Sequence, residues 1–529
     1  MIRIEYLSAD LFGLDTRTRQ ALSGQLGGFG LATNAAQVAQ IHDPFLPAER
    51  EQLAKTLEAQ ATACSPPVRV LESIRLLATP NASCVVTEAS PFVLGGPLKQ
   101  LLATVQTIAL AKQLSTMERP VVPVLWVRSD EHETRPLISA RIVNRHHALQ
   151  SIHLDRLSNQ TTPVRCIELD NQQHGLGSLR EVLRQLFGDY EHITAALDTL
   201  LPNEGESLSR AYTRAMYELF GDQGLIIIEP EDLREDLSRA CATCVGEPLM
   251  GELVRARELQ PLTQEVLAQE LEPWLFHNSP SGRRALSPNG NEFSFQEEPG
   301  SRTRAELAAE LVQAPADWHP AHLLESVARG LVLPVLAEVG GARELERHLL
   351  FHGARTAFDW PRPSFVPRLQ ATLVDGPCVE SLERLELSVQ HVLRCKGEIE
   401  THGIAPQATE LLETLDQIAM DARLALKEQK QALLNIGPTL KPALRAATTE
   451  LTAALRGLSK KVSYVAANRG GKLDRHRRRL STTLCPQAGP QAQTLSPFPW
   501  IAREGVGWLG DLLREVDPFC GEHLAIYLD

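Results

Sequence analysis

No stretch of this 529-residue chain is apolar for the roughly 18–20 consecutive residues that a bilayer span requires, so a membrane-crossing helix is not expected. Positive charge is in deficit: 53 Lys and Arg stand against 65 Asp and Glu, a net charge of −12. That balance argues against a generally nucleic-acid-binding surface and favours a soluble acidic protein. The opening residues Met1-Ile2-Arg3-Ile4-Glu5 lead straight into polar sequence, without the apolar region of a signal peptide. Nine cysteines, odd in number and irregularly placed, fit reduced thiols in the cytoplasm. Cys241 and Cys244 make a Cys-x-x-Cys pair, but no second pair lies nearby at zinc-ligand spacing; the next cysteines are Cys378 and Cys395. Packing inside a helix is the simpler role for that pair, and no metal is expected.

What the chain does have is 43% hydrophobic content, enough for a real core, and length for about three domains. It is organised around Ser83 to Leu114. Cys84-Val85-Val86 predicts a short buried strand, and the turn Leu94-Gly95-Gly96-Pro97-Leu98 opens a helix with apolar residues at helical spacing. Pro97, with no N–H to lose, suits the first helical position, and paired glycines allow close approach of a neighbour. Val121 to Val127 is apolar nearly throughout, as in a parallel strand covered on both faces. Such a strand, helix, strand unit sets its chemistry at the carboxyl ends of its strands. Thr87 to Ser90 and Ser129-Asp130-Glu131-His132-Glu133 fall there, and both sets are expected to face one crevice.

At these residues the chain resembles the bacillithiol-biosynthesis cysteine-adding enzymes, a family of cysteine ligases. Thr87, Gly95, Gly96, Pro97, Leu98, Trp126, Val127, Ser129 and His132 match its pattern, and the family's Glu-Asp-His-Asp carboxylates appear as Asp130, Glu131 and Glu133. The likeness runs on in order through Gly224-Leu225 and Glu229-Pro230, Val339-Gly340-Gly341, Val366-Pro367-Arg368, Pro497-Phe498 and Asp517-Pro518-Phe519. Departures gather in the crevice. The family's Gly-Gln-Gln is Glu88-Ala89-Ser90, its Tyr-Thr is Lys99-Gln100, a lysine one turn on is Ala103, and a Gly-Pro-Gly reads Gly341-Ala342-Arg343. An unpaired Glu88 facing inward would weaken phosphate binding, unless Lys99 answers it.

The resemblance implies an α/β protein: a Rossmann-like parallel-sheet core with helical insertions, and a C-terminal antiparallel coiled-coil arm that makes a homodimer. It implies a ligase joining cysteine to the amine of glucosaminyl malate, with the carboxylate activated by ATP. In that scheme His132 binds phosphate or shuttles a proton, and Asp130 and Glu131 bind the amine or a metal. Gly95 and Gly96 offer backbone N–H groups, and Arg368 takes a substrate carboxylate. Thr87, Ser90, Pro97, Trp126, Ser129, Gly340 and Gly341 line the substrate site. A catalytically silent or substrate-switched relative that keeps the dimeric scaffold is the alternative.

Along the chain, the core spans 1–378, with 1–82 mostly helical and with 171–225 and 241–330 as mainly helical insertions. Gly24 to Gly30 reads as a loop, since no strand precedes it. Val164 to Leu169 is a further strand candidate, and His146-His147 in a strand would point to opposite faces. Asn289-Gly290 suits a hairpin turn; the nearby Arg283-Arg284 either meets a phosphate or carboxylate or belongs to a solvated hairpin. Leu331 to Val339 returns to the sheet. From 379 to 484 the spacing turns heptad-like in three successive helices, beginning at Leu382, Leu412 and Leu444. The basic block Arg469 to Arg479 is either an anion or partner site or a solvated helix end. Residues 485–529 are expected to pack back on the core.

Overall fold

The computed structural model describes residues 2–12, 16–38, 45–154, 162–171, 174–247, 273–279, 282–290, 292–295, 300–399, 406–429, 432, 435–437, 440–469 and 472–528. They form two compact units, one of residues 1–376 and 489–529, the other Pro377–Ala488.

The first unit is built on five parallel strands: β2 (Ser83–Ala89), β3 (Val121–Val127), β6 (Ile226–Ile228), β12 (Val335–Gly340) and β13 (Ser364–Pro367). Their order is β13-β12-β2-β3-β6. The chain therefore moves outward from β2 through β3 to β6, then returns to the other side of β2, which makes the β2/β12 boundary a topological switch point where ligands are commonly received. Every residue of β3 is buried, as a strand covered on both faces requires. The crossing helix Leu98–Leu114 is buried from Leu98 through Ala111 at all but Lys99, because the sheet lies on one side and residues 489–516 on the other. Each fully buried leucine in it contributes on the order of 2 kcal/mol.

Several expectations are corrected. Residues 1–82 open with a strand, β1 (Ile2–Leu7), antiparallel to β15 (His523–Leu528), which runs parallel to β14 (Gln370–Asp375) in a separate three-stranded sheet. The stretch Ala371 to Val374 lies buried in this sheet. Val164–Cys166 is a 3-10 turn entered from Pro163. His146 and His147 lie in the turn between β4 (Ser139–Val143) and β5 (Leu149–His153). Leu331 and Val332 end the helix His322–Val332, and Pro334 delays the strand to Val335. Among its described residues, the segment 241–330 holds strands as well as helices. Its β7 (Leu275–Ser279), β8 (Gly282–Asn289), β9 (Glu292–Phe295), β10 (Ser301–Thr303) and β11 (Trp318–Pro320) make an antiparallel sheet flanked by helices, with Gly290 at φ +62° in the expected turn. The helix expected over Leu249 to Leu271 falls outside the described residues.

In the second unit the first heptad segment is two short helices, Gly376–Leu385 and Val389–Arg394, parted where Glu386 takes φ +53°. The long helices Pro406–Glu428 and Leu440–Arg469 pack against each other. The basic block is folded into this unit: Arg477 pairs with Asp474 at 3.0 Å, Arg479 donates to Pro377 O at 2.9 Å, and His476 meets Ser381 Oγ at 3.0 Å.

Candidate active site at the strand ends

β3 ends at Val127, and the next residues leave the sheet as a tight turn, with Ser129 N–H donating to Val127 O at 2.8 Å. That turn sets Asp130, largely removed from solvent, against three partners from distant parts of the chain. Oδ1 accepts from Arg165 Nε at 2.9 Å, and Oδ2 meets Arg234 Nη2 at 2.5 Å and His319 Nδ1 at 2.9 Å. Burial pushes the Asp130 carboxyl up, but the His319 hydrogen bond and the Arg234 charge outweigh it and hold it well below the usual carboxylate range. On its other nitrogen His319 meets the Asn278 amide, so the pair is fastened to β7.

Glu131 is treated the same way. Burial raises it, His322 and Arg128 lower it further, and it settles at about 2; Arg128 Nη2 lies 2.9 Å from its Oε2.

His132 is 7% exposed. Its Nδ1 stands 2.8 Å from Asp130 O and 2.8 Å from Arg283 Nη1. A ring nitrogen either donates to the carbonyl or accepts from the guanidinium, so Nε2 is an acceptor in the first tautomer and a donor in the second. In both, Nε2 is buried with no hydrogen-bond partner among the described residues. Burial, then the Arg283 charge, lowers the His132 pKa to about 4, so the ring is neutral at pH 7. Arg283 itself stacks 3.3 Å from the Phe276 ring centroid. The hairpin β7–β8 therefore reaches into the cluster and is not a solvated one.

Around Arg165, the outer side of this cluster is a cavity of about 240 Å³, lined also by Ser209, Thr213, Glu229, Glu231 and Asp232. Glu229 accepts from Ser209 at 2.9 Å and Thr213 at 3.1 Å, with Ser129 beside it.

At the β2/β12 boundary, Glu88 is not an unpaired charge. Arg329 Nη1 lies 2.7 Å and Arg347 Nη2 2.9 Å from its two oxygens, and Arg329 also reaches Glu338 at 2.9 Å. Burial raises Glu88, and Arg347 and Arg329 bring it down to about 2. Two helices thus answer the charge, and Lys99 does not. Thr87 Oγ1 donates to Val339 O at 3.0 Å, tying β2 to β12. Trp126 is fully buried, with the Arg329 guanidinium 5.6 Å from its ring centroid. The Ser90 backbone is held at both ends by the Gln100 side-chain amide, 2.8 Å from its N and 3.2 Å from its O.

Gly95 and Gly96 shape the loop between β2 and its helix. Both have positive φ, and a Cβ would sit 3.2 Å from Pro497 Cγ at Gly95 and 2.9 Å from Phe92 Cβ at Gly96. Gly96 N–H donates to Val93 O and Leu98 N–H to Leu495 O. Pro97 is the N-cap, with extended ψ of 138°, and not the first helical residue. Gly340 and Gly341 end β12: Gly340 O accepts from Arg368 N–H at 2.7 Å, and the Arg368 guanidinium lies on Gly341, where a Cβ would come within 2.5 Å of Nη2. The structure so brings Ser129, Asp130, Glu131 and His132 into one cluster, and Gly340, Gly341 and Arg368 into another. The atoms nearest a Cβ at Gly95 and Gly96 belong to Pro497, Leu200, Gln100 and Phe92.

Sequence reasoning missed Arg165, Arg234, His319 and His322, which stand 35 to 189 residues from Asp130 in the case of its own partners. No local spacing signals such a gathering. Cys241 and Cys244 are buried in the helix Arg234–Gly246, where burial raises the Cys244 thiol to about 12.

Residues 31–369 match the description "Bacillithiol biosynthesis BshC, N-terminal Rossmann-like domain", and residues 371–528 match "Bacillithiol biosynthesis BshC, C-terminal coiled-coil domain". Similar proteins named "Putative cysteine ligase BshC" include one from Koribacter versatilis, 22% identical over 498 residues that cover 91% of this chain and 90% of that one. Another, from Salinibacter ruber, is 24% identical over 505 residues, 91% and 89% of the two chains. A third, from Shouchella clausii, is 23% identical over 504 residues, 90% of each. With the parallel sheet followed by the helical arm in the order of those two descriptions, the chain belongs to the bacillithiol biosynthesis BshC family.

Proposed function

We propose that this chain is a cysteine ligase of the bacillithiol pathway, forming an amide between the carboxylate of L-cysteine and the amine of glucosaminyl malate. The observation that carries the reading is the His132 cluster: a neutral imidazole with a buried Nε2 that has no partner among the described residues, set beside carboxylates at the end of a central parallel strand. An amine must shed a proton as it attacks a carboxyl carbon, and a carboxylate must first be activated, for which ATP is the expected co-substrate. His132 Nε2 is the group proposed to receive that proton or to donate to the activated carboxyl oxygen. The basic side chains Arg128, Arg283, Lys99 and Arg368 suit anionic substrates and the phosphates of a nucleotide. Asp130 and Glu131, held ionised, suit an ammonium group.

A second reading, a catalytically silent relative, is favoured by one observation: Glu88, Asp130 and Glu131 are already neutralised by arginines of the same chain. The experiment that separates the two supplies purified protein with cysteine, glucosaminyl malate and ATP and follows product by mass spectrometry, with His132→Ala alongside. Product formed by the wild type and lost in the variant supports the ligase. No product, and no thermal shift from any of the three compounds, supports the silent scaffold.

The arm is proposed to pair two copies of the chain. Leu411, Ile418, Leu424, Leu451 and Leu458 are exposed on its two long helices, which frame a groove of about 520 Å³.

A further inference from the structure

The residues between β13 and β14 are pinned to the helix Leu98–Leu114 by one side chain. Gln106 Nε2 donates to Pro367 O at 2.9 Å, and its Oε1 accepts from Leu369 N–H at 2.8 Å, so the amide brackets Arg368 on both sides. Seven residues earlier on the same helix stands Lys99, two turns nearer the N-terminus and on the same face. The bracket holds the Arg368 backbone beside the helix that carries Lys99, and the Arg368 charge acts on Lys99. From below, Gly341 lets the guanidinium rest directly on the backbone at the end of β12.

Neither cation has a hydrogen bond or ion pair from its side chain among the described residues. The carboxylate that acts on both is Glu344, and it is engaged elsewhere: Oε2 accepts from Gly341 N–H at 2.8 Å, and Oε1 faces Arg347 at 3.4 Å. Arg343, also on the helix Ala342–Ala357, adds further positive charge beside Lys99. Like charges gathered around one carboxylate that is already engaged, at the β2/β12 switch point of a parallel sheet, are the arrangement that an incoming anion relieves.

We infer that Lys99 and Arg368 together form an oxyanion site, built for a phosphoryl group or a carboxylate, separate from the His132 cluster. The inference rests on the ligase reading only for why such an anion would come there; the site is defined by its own geometry. Lys99 supplies a point charge and Arg368 a planar fork that matches two oxygens of one anion. The groups facing Lys99 are Arg368, Glu344 and Arg343, and burial, followed by Arg368, depresses its pKa. Anion affinity should accordingly fall as pH rises through that depressed value, because the ammonium form is the one that binds.

The test is calorimetric titration of inorganic phosphate, pyrophosphate and L-malate into the full chain, into Lys99→Met, Lys99→Arg and Arg368→Met. No cysteine or ATP is present, so the outcome does not depend on turnover. Affinity for at least one probe should drop about tenfold or more in Lys99→Met, the loss expected of one charge-assisted contact, and return towards the wild-type value in Lys99→Arg. Preference for phosphate or pyrophosphate assigns a phosphoryl group, and preference for malate assigns a carboxylate. Absence of binding to the wild type by all three probes overturns the inference, as does equal binding by wild type and Lys99→Met. Unchanged thermal unfolding of Lys99→Met keeps a folding defect from imitating the expected result.

Discussion

Arg329 Nη1 lies 2.7 Å from Glu88 Oε1, a buried ion pair between residues 241 apart in sequence. The same guanidinium reaches Glu338 on the neighbouring strand, so one side chain from a helix outside the sheet neutralises two carboxylates within it. Removing one partner of a buried pair strands the other and costs about 3–5 kcal/mol. Arg329→Met should lose that much in urea unfolding. Glu88→Gly should also be destabilising, because Arg329 and Arg347 then face each other without the charge they share. An unchanged unfolding midpoint in both variants would show that the clamp contributes nothing.

His132 titrates far below a free histidine, at about 4, first because it is buried and then because Arg283 is positive. Its pKa is depressed on folding, so the unfolded chain binds more protons between about pH 6.5 and pH 4. Stability from this group is fully present above that window and is lost as pH falls through it, by roughly 3 kcal/mol in all. His132→Gln should flatten that part of the stability–pH curve. Identical curves for the two proteins would refute the assignment.

Glu325 behaves in the opposite sense. Burial, then the charge of Glu88, pushes its carboxyl up to about 7. The folded state therefore binds the extra proton between about pH 4.5 and 7, and stability falls as pH rises through that range. Glu325→Gln should be more stable than the wild type at pH 8 by roughly 3 kcal/mol and indistinguishable from it near pH 4. Chemical denaturation at the two pH values measures the difference; a variant less stable at pH 8 would contradict it.

Asp130 accepts from Arg165, Arg234 and His319 at once, and its neighbour His132 is placed by the same turn. Asp130→Asn keeps the shape but removes the charge the three share. In the ligase assay kcat/KM should fall about a hundredfold, the scale of a small displacement of a reacting group. Full activity in this variant would remove Asp130 from the site.

Ile418 and Leu458 are exposed, one on each long helix of the arm. The wild type should sediment as a dimer, and a double Ile418→Lys, Leu458→Lys variant as a monomer. Wild-type protein that sediments as a monomer at all concentrations would sink the pairing.

Much of the core could be read from local pattern. The unbroken apolar run of β3, the Gly-Gly-Pro turn before the buried helix and the change to heptad spacing are short-range signals, because burial on both faces, positive φ and helix periodicity each act within a few residues. Arg329 with Glu88, Asp130 with His319, and Gln106 around Arg368 could not be read that way. Each joins segments brought together by strand order, and charge type and spacing along the chain carry no record of that order. Strand β1 was missed for the same reason, since the partner that makes it a strand is at the opposite end of the chain. Apolar periodicity thus settled which segments enter the core, while the neutralisation of its buried charges was settled by the packing of distant helices, where removal from water leaves an ion no substitute for a partner.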